Sequence, residues 1–108
     1  MAGTAPQLKT VIHRYVDKLA EMGISVQNVM LFGSHAAGTA REGSDIDLLV
    51  VSSDWAEYSQ RQRLELLGIA AARILEPIQA QGFTPEEIDS DQLTPFWDEI
   101  LKEHAIPV

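Results

Sequence analysis

The sequence has no cysteine, so it has neither a disulfide framework nor thiol chemistry, a composition that suits the cytoplasm. No apolar run approaches the ~20 residues that span a bilayer. Met1-Ala2-Gly3-Thr4 lacks the basic-then-apolar order of a signal peptide. A chain that is neither secreted nor membrane-bound is expected. Positive charge is also scarce: 8 basic residues against 16 acidic leave a formal net charge of −8. Proteins that grip a polynucleotide backbone usually carry a basic stripe, because affinity comes largely from displacing phosphate counterions. None is visible, so a long RNA or DNA partner is not expected. A mononucleotide with metal-screened phosphates is compatible with such a chain, and a basic protein partner would suit its charge.

Several chemistries drop out for want of their motifs. His13, His35 and His104 are too scattered for a zinc site by spacing. Ser34 precedes a histidine, but the Gly-x-Ser-x-Gly order of a nucleophile elbow is missing. No Gly-Lys-Ser/Thr is present, which excludes a Walker loop. Internal repeats, linkers and low-complexity segments are absent as well. With 108 residues and 45% hydrophobic content, one domain (1–108) with one core is expected.

What is present is concentrated in residues 32–51. Two apolar runs, Val29-Met30-Leu31-Phe32 and Leu48-Leu49-Val50-Val51, read as buried strands. Gly33, Gly38 and Gly43 lie between them with Ser34 and Ser44, a composition that turns sharply and admits a ligand close to the backbone. Asp45 and Asp47 stand two apart at the start of the second run, and positions i and i+2 of a strand share a face. Two carboxylates on an otherwise apolar strand repel each other and lose hydration unless a cation compensates them. Mg²⁺ does so typically with one or two carboxylates plus substrate phosphates. The Gly33-Ser34 turn offers the backbone N–H groups and hydroxyl from which phosphate cradles are made. A polar turn with a capping Ser-Asp would account for Ser44 and Asp45, but not for Asp47 between Ile46 and Leu48.

Gly33-Ser34, Ala36, Gly38, then Ser44-Asp45-Ile46-Asp47-Leu48 resembles the signature of the nucleotidyltransferase superfamily that includes DNA polymerase beta. Within it, the chain is most similar to the short minimal nucleotidyltransferases of antitoxin type. The resemblance implies an α/β (α+β) nucleotidyltransferase fold, a small mixed sheet packed by helices. It also implies transfer of a nucleoside monophosphate from a triphosphate, ATP being the expected donor, with two Mg²⁺ ions. Carried over, Gly33, Ser34 and Ser44 bind the nucleotide, while Asp45 and Asp47 are catalytic and hold the metals. The family often has basic residues in the Gly-Ser loop, where this chain has His35 and Ala37. Arg41 either takes over phosphate neutralisation or is a solvated loop charge. The family commonly places a third acid on a later strand, where this chain has Gln79 and Gln81; Gln79 is the position that aligns with it.

Along the chain, Thr4-Ala5-Pro6-Gln7 resembles a capping box, and Leu8, Val11, Ile12, Tyr15, Val16 and Leu19 recur at helical spacing. A helix over 5–22 ending at Gly23 is expected, with His13 partly buried at its apolar boundary. Strands are expected at 26–32 and 45–52, with a helical turn over 34–38 between them. Ser53-Asp54 offers caps for a helix through Leu75, with Leu64, Leu67, Gly68, Ala71 and Leu75 on one face and Arg61 and Arg63 solvated. Pro77 stops it, and Ile78 to Phe83 alternates as a half-buried strand. Thr84-Pro85-Glu86-Glu87 is a second capping box, leaving Glu86 and Glu87 to capping and solvation. Thr94-Pro95 starts a last helix with Phe96, Trp97, Ile100 and Leu101 as packing residues, and Ile106-Pro107-Val108 adds an edge strand.

Two functions stand against each other. One is a Mg²⁺-dependent enzyme that adds AMP to a protein or small-molecule acceptor; the resemblance implies a helical HEPN-type partner as its toxin. The other is a catalytically impaired module that keeps the fold and acts by docking to a partner. Homo-oligomerisation is left open.

Overall fold

The computed structural model describes residues 6–90 and 93–108. Its first element, α1 (Pro6–Glu21), buries Ile12, Tyr15 and Leu19 along the stripe that their spacing dictates. Gly23 ends it in the left-handed region, with φ +94°. The Thr4 end of the expected capping box lies outside the described residues. His13 is exposed rather than partly buried, because it stands one residue past Ile12 on the turn away from the sheet.

Strands β1 (Asn28–Phe32) and β2 (Ile46–Val51) pair antiparallel, with the short α2 (Gly33–Ala37) between them. Helix α3 (Gln60–Arg73) then crosses to β3 (Ile78–Phe83), which lies parallel to β2. After α4 (Pro85–Asp89) and α5 (Pro95–Glu99), a π-turn at Ile100–His104 leads to β4 (Ile106–Pro107) on the free edge of β1. The result is a mixed four-stranded sheet in the order β3-β2-β1-β4, packed by helices in an α+β fold. Ile46, Leu48 and Val50 point from β2 into the core beneath α1 and α3, and Asp47 and Leu49 point the other way. Strand β2 starts at Ile46, whose N–H makes the first ladder bond to the Pro77 carbonyl at 2.8 Å, so Asp45 sits just outside the strand.

The expected helix over 53–75 is in fact two elements. A 3₁₀ turn at Ser53–Glu57 carries the fully buried Trp55, whose indole N–H donates to the Val50 carbonyl at 3.2 Å. Tyr58 is extended, and Ser59 restarts the chain with a complete capping box to Gln62. Pinning Trp55 ends the first turn, and the Ser59 cap sets the phase of the second. The buried face of α3 is therefore Arg63, Leu67, Ala70 and Ala71, followed by Ile74. Leu64, Gly68 and Leu75, expected on that face, are exposed. Tyr15 ties α1 to α3, its hydroxyl donating to the Leu67 carbonyl at 2.8 Å, and burial pushes the phenol pKa well above its usual value.

Arg63 is not solvated; its side chain is 6% exposed. Its guanidinium donates to both Glu87 oxygens, at 2.7 and 3.2 Å, and to the carbonyls of Gly82 and Tyr58. Glu87 also closes the capping box with Thr84, accepting from its N–H at 2.8 Å. One ion pair thus ties α3, the end of β3 and α4 together. Burial pushes the Glu87 carboxyl up, but hydrogen bonds from Arg63 and Thr84 and the Arg63 charge outweigh it, holding its pKa below the usual glutamate value. Glu87→Gln leaves the guanidinium buried without a counter-charge, at an expected loss of about 3 kcal/mol. The wild-type contribution is whole above the ordinary glutamate pKa of ~4.3 and is lost as pH falls through the lower, folded-state value. Urea denaturation of both proteins from neutral pH into the acid range measures this. The wild type is expected to lose its advantage over the variant at the acid end, and parallel profiles would remove the pair from acid stability.

Candidate active site

The chain leaves β1 extended at Phe32 and turns at Gly33, whose φ of +71° suits glycine. A second constraint acts on the same residue. A Cβ at Gly33 would lie 2.1 Å from an Asp47 carboxylate oxygen and 2.9 Å from its Cγ. The register explains the contact, since Phe32 is the cross-strand partner of Asp47. The first aspartate of the pair, Asp45, is exposed just before β2, and Asp47 is half-buried on the face opposite the core. Burial raises the Asp47 pKa, the Asp45 charge raises it further, and His35 pulls it back. The two carboxylates are therefore close enough to repel, as their spacing implied.

The loop before Asp45 is held by its own hydroxyl. Ser44 Oγ accepts from the Arg41 N–H at 2.8 Å, and the Ser44 N–H donates to the Arg41 carbonyl at 2.9 Å. The fold thus uses the backbone of Arg41, while its side chain is exposed. His35 Nε2 lies 3.5 Å from the Ser44 carbonyl, linking α2 to the aspartate loop. Ser34 lines a cavity of about 570 Å³, which runs from Phe32 and Gly33 along α2 to Glu103 and His104.

Gln79 is the in-register neighbour of Asp47 across the parallel β2–β3 ladder, and Gln81 that of Leu49. The position beside the carboxylates is thus occupied by a neutral amide. Among the described residues, no three histidine, aspartate or glutamate side chains gather as a metal site. The sequence reading did not foresee how Trp97 spans this face. Its ring meets Phe32 of β1 at 5.5 Å and Phe83 of β3 at 5.7 Å, both edge-on, across the intervening β2, whose opposite ends pair with those two residues. Only the apolar character of Phe32, Phe83 and Trp97 pointed there, and it gave no pairing.

Residues 12–102 match the nucleotidyltransferase domain family. The chain belongs to that family. The chain is similar in fold to a toxin–antitoxin solved with AMP-PNP, with a TM-score of 0.62 at 20% identity over 88% of this chain and 69% of that one. It is likewise similar to a candidate nucleotidyltransferase from Sulfolobus solfataricus, with a TM-score of 0.53 at 18% identity over 99% and 89% of the two chains. At these identities the likeness is one of fold. No curated protein matches the chain. Nucleotidyltransferases work on a nucleoside triphosphate with a divalent metal. The donor set here fits a hard cation: two mutually repelling carboxylates, one with its pKa raised, lie beside a turn where a Cβ is excluded.

This nucleotidyltransferase carries the Asp45–Asp47 repulsion as an internal cost when no cation is bound. Asp47→Asn is expected to stabilise the metal-free protein by about 0.5 kcal/mol, or roughly 2–4 °C in Tm. The folded-state pKa is raised, so the wild-type penalty shrinks as pH falls through that value, and the variant's advantage shrinks with it. Calorimetric melting in chelator across the acid range checks both; a variant less stable than wild type at neutral pH contradicts the account.

Proposed function

We propose that this nucleotidyltransferase transfers AMP from ATP to a protein or small-molecule acceptor, with residues 1–108 working as a single domain in the cytoplasm. The observation that carries the reading is the Asp47 carboxylate lying against Gly33 and electrostatically coupled to Asp45. Carboxylates and the glycine–serine turn meet at one point. Asp45 and Asp47 would hold the Mg²⁺ ions, two by family resemblance, which supply positive charge to the phosphates when bound. Gly33 admits the triphosphate close to the backbone, and the Ser34 hydroxyl donates to it. Ser44 contributes by fixing the aspartate loop, since its oxygen already accepts from Arg41. His35 stands where the family often carries a basic residue, and the Asp47 pKa already responds to it. A helical HEPN-type partner, with this chain as antitoxin, is carried over from the resemblance; a fold neighbour solved as a toxin–antitoxin with AMP-PNP agrees with it.

A second reading has one specific observation in its favour. Gln79, in register with Asp47, offers an oxygen to a metal but neither a negative charge nor a general base. On that reading the chain binds nucleotide and docks to its partner without efficient turnover. Incubation with labelled ATP, Mg²⁺ and the partner protein separates the two, because only an enzyme leaves label on the partner.

Binding and turnover are tested by different substitutions. Mg²⁺-ATP is expected to raise the Tm of wild type but not of Asp47→Asn, and Ser34→Ala should weaken ATP about ten-fold, consistent with a hydrogen bond to a charged group worth roughly 1.5–3 kcal/mol. Full thermal stabilisation of Asp47→Asn by Mg²⁺-ATP would remove that residue from the site. Gln79→Glu should tighten Mg²⁺-dependent ATP binding and raise transfer. Robust wild-type transfer that this substitution lowers would mean that the catalytic set is complete without an acid at 79.

A further inference from the structure

We propose that the cavity between the first turn of α3 and α5 takes the base of the nucleotide, with adenine preferred over guanine. This rests on the reading of Asp45, Asp47 and Gly33-Ser34 as the metal and phosphate site, and it adds the subsite that selects the donor. The cavity, about 330 Å³, is lined by Gln60, Gln81, Phe83, Leu93, Thr94 and Trp97.

Its position follows from the sheet. Asp47 and Gln79 are neighbours across the β2–β3 ladder, and Gln79, Gln81 and Phe83 alternate onto one face of β3. Gln81 therefore lies two residues beyond Gln79 on the carboxylate face, roughly 6.6 Å along the strand. That is the kind of gap a ribose spans between its phosphate and its base. The walls match a base as well. Trp97, half-buried and edge-on to the buried Phe83 with ring centroids 5.7 Å apart, supplies aromatic surface, on which nucleobases stack without regard to sequence. Gln60 and Gln81 supply amides, each with an acceptor oxygen beside donor N–H groups. An amide matches the donor and acceptor on the N6/N7 edge of adenine, whereas guanine presents two acceptors there. The larger cavity beside α2 lies on the other flank, towards β4; it holds Gly33 and Ser34 of the phosphate turn with the Glu103 carboxylate, and no side-chain amide lines it.

The protein carries its own probe. It has two tryptophans; Trp55 is fully buried in the core, and Trp97 is half-buried at this cavity. Mg²⁺-ATP should quench tryptophan emission, while Mg²⁺-tripolyphosphate, which has phosphates and no base, should bind without quenching. Trp97→Phe, which keeps an aromatic ring against Phe32 and Phe83, should abolish the signal. By calorimetry, Gln81→Leu should weaken ATP at least five-fold and narrow its advantage over GTP, leaving tripolyphosphate affinity unchanged. If ATP binds no tighter than tripolyphosphate, or Gln81→Leu leaves ATP affinity and base preference intact, the subsite is wrong while the phosphate site stands. If neither ligand binds, the phosphate-site reading fails and the subsite falls with it.

Discussion

The carboxylate of Asp47 can occupy its place on β2 only because residue 33 carries no Cβ. Any other side chain would enter the space of the carboxylate, and the chain would also have to hold a left-handed turn at a cost of order 1–3 kcal/mol. Glycine at 33 is thus fixed twice, by conformation and by a neighbour from the next strand. The antiparallel register that pairs Phe32 with Asp47 creates the contact, and the contact in turn limits where that register can slip. Turn, carboxylate and strand pairing form one object. The His35 link to the Ser44 carbonyl and the hydroxyl closure by Ser44 then hold Asp45 close to it.

Away from the site, the molecule is held by polar groups that act over long sequence separations. Arg63 reaches Glu87 and the Gly82 carbonyl, and Trp55 reaches back to Val50 while lying against Gly82 so closely that a Cβ there would come within 2.8 Å of its indole nitrogen. Both interactions converge on the last residues of β3. The strand that carries Gln79 and Gln81 is therefore anchored at its far end by a buried ion pair and an indole.

Much of the site was legible in the sequence because its determinants are local. Apolar runs bounded by glycines placed β1, α2 and β2; alternation placed Gln79 and Gln81 on one face; and two aspartates at i and i+2 implied the repulsion that raises the Asp47 pKa. What escaped was non-local. Arg63 read as solvated because nothing near it in sequence neutralises it; its partner lies 24 positions away. The phase of α3 was misjudged because Trp55 and the Ser59 cap, rather than Ser53-Asp54, decide where the helix starts, and Leu64 and Leu75 are left outside as a result. Trp97 was read as packing, but its bridge from Phe32 to Phe83 joins residues that only the folded sheet brings within range of one ring.

The parallel pairing of β2 with β3 bears on how the site assembles. Antiparallel β1 and β2 need only the short α2 loop to close, so Gly33 meets Asp47 through an inexpensive, nearly local event. Gln79 reaches Asp47 only after the chain has run through the 3₁₀ turn and the whole of α3 and come back alongside, the slower kind of closure that dominates folding times. The two sides of the site are thus joined by closures of very different chain length. The carboxylates meet the glycine turn through the nearer pairing, and the β3 wall is the part of the site that depends on the return through α3.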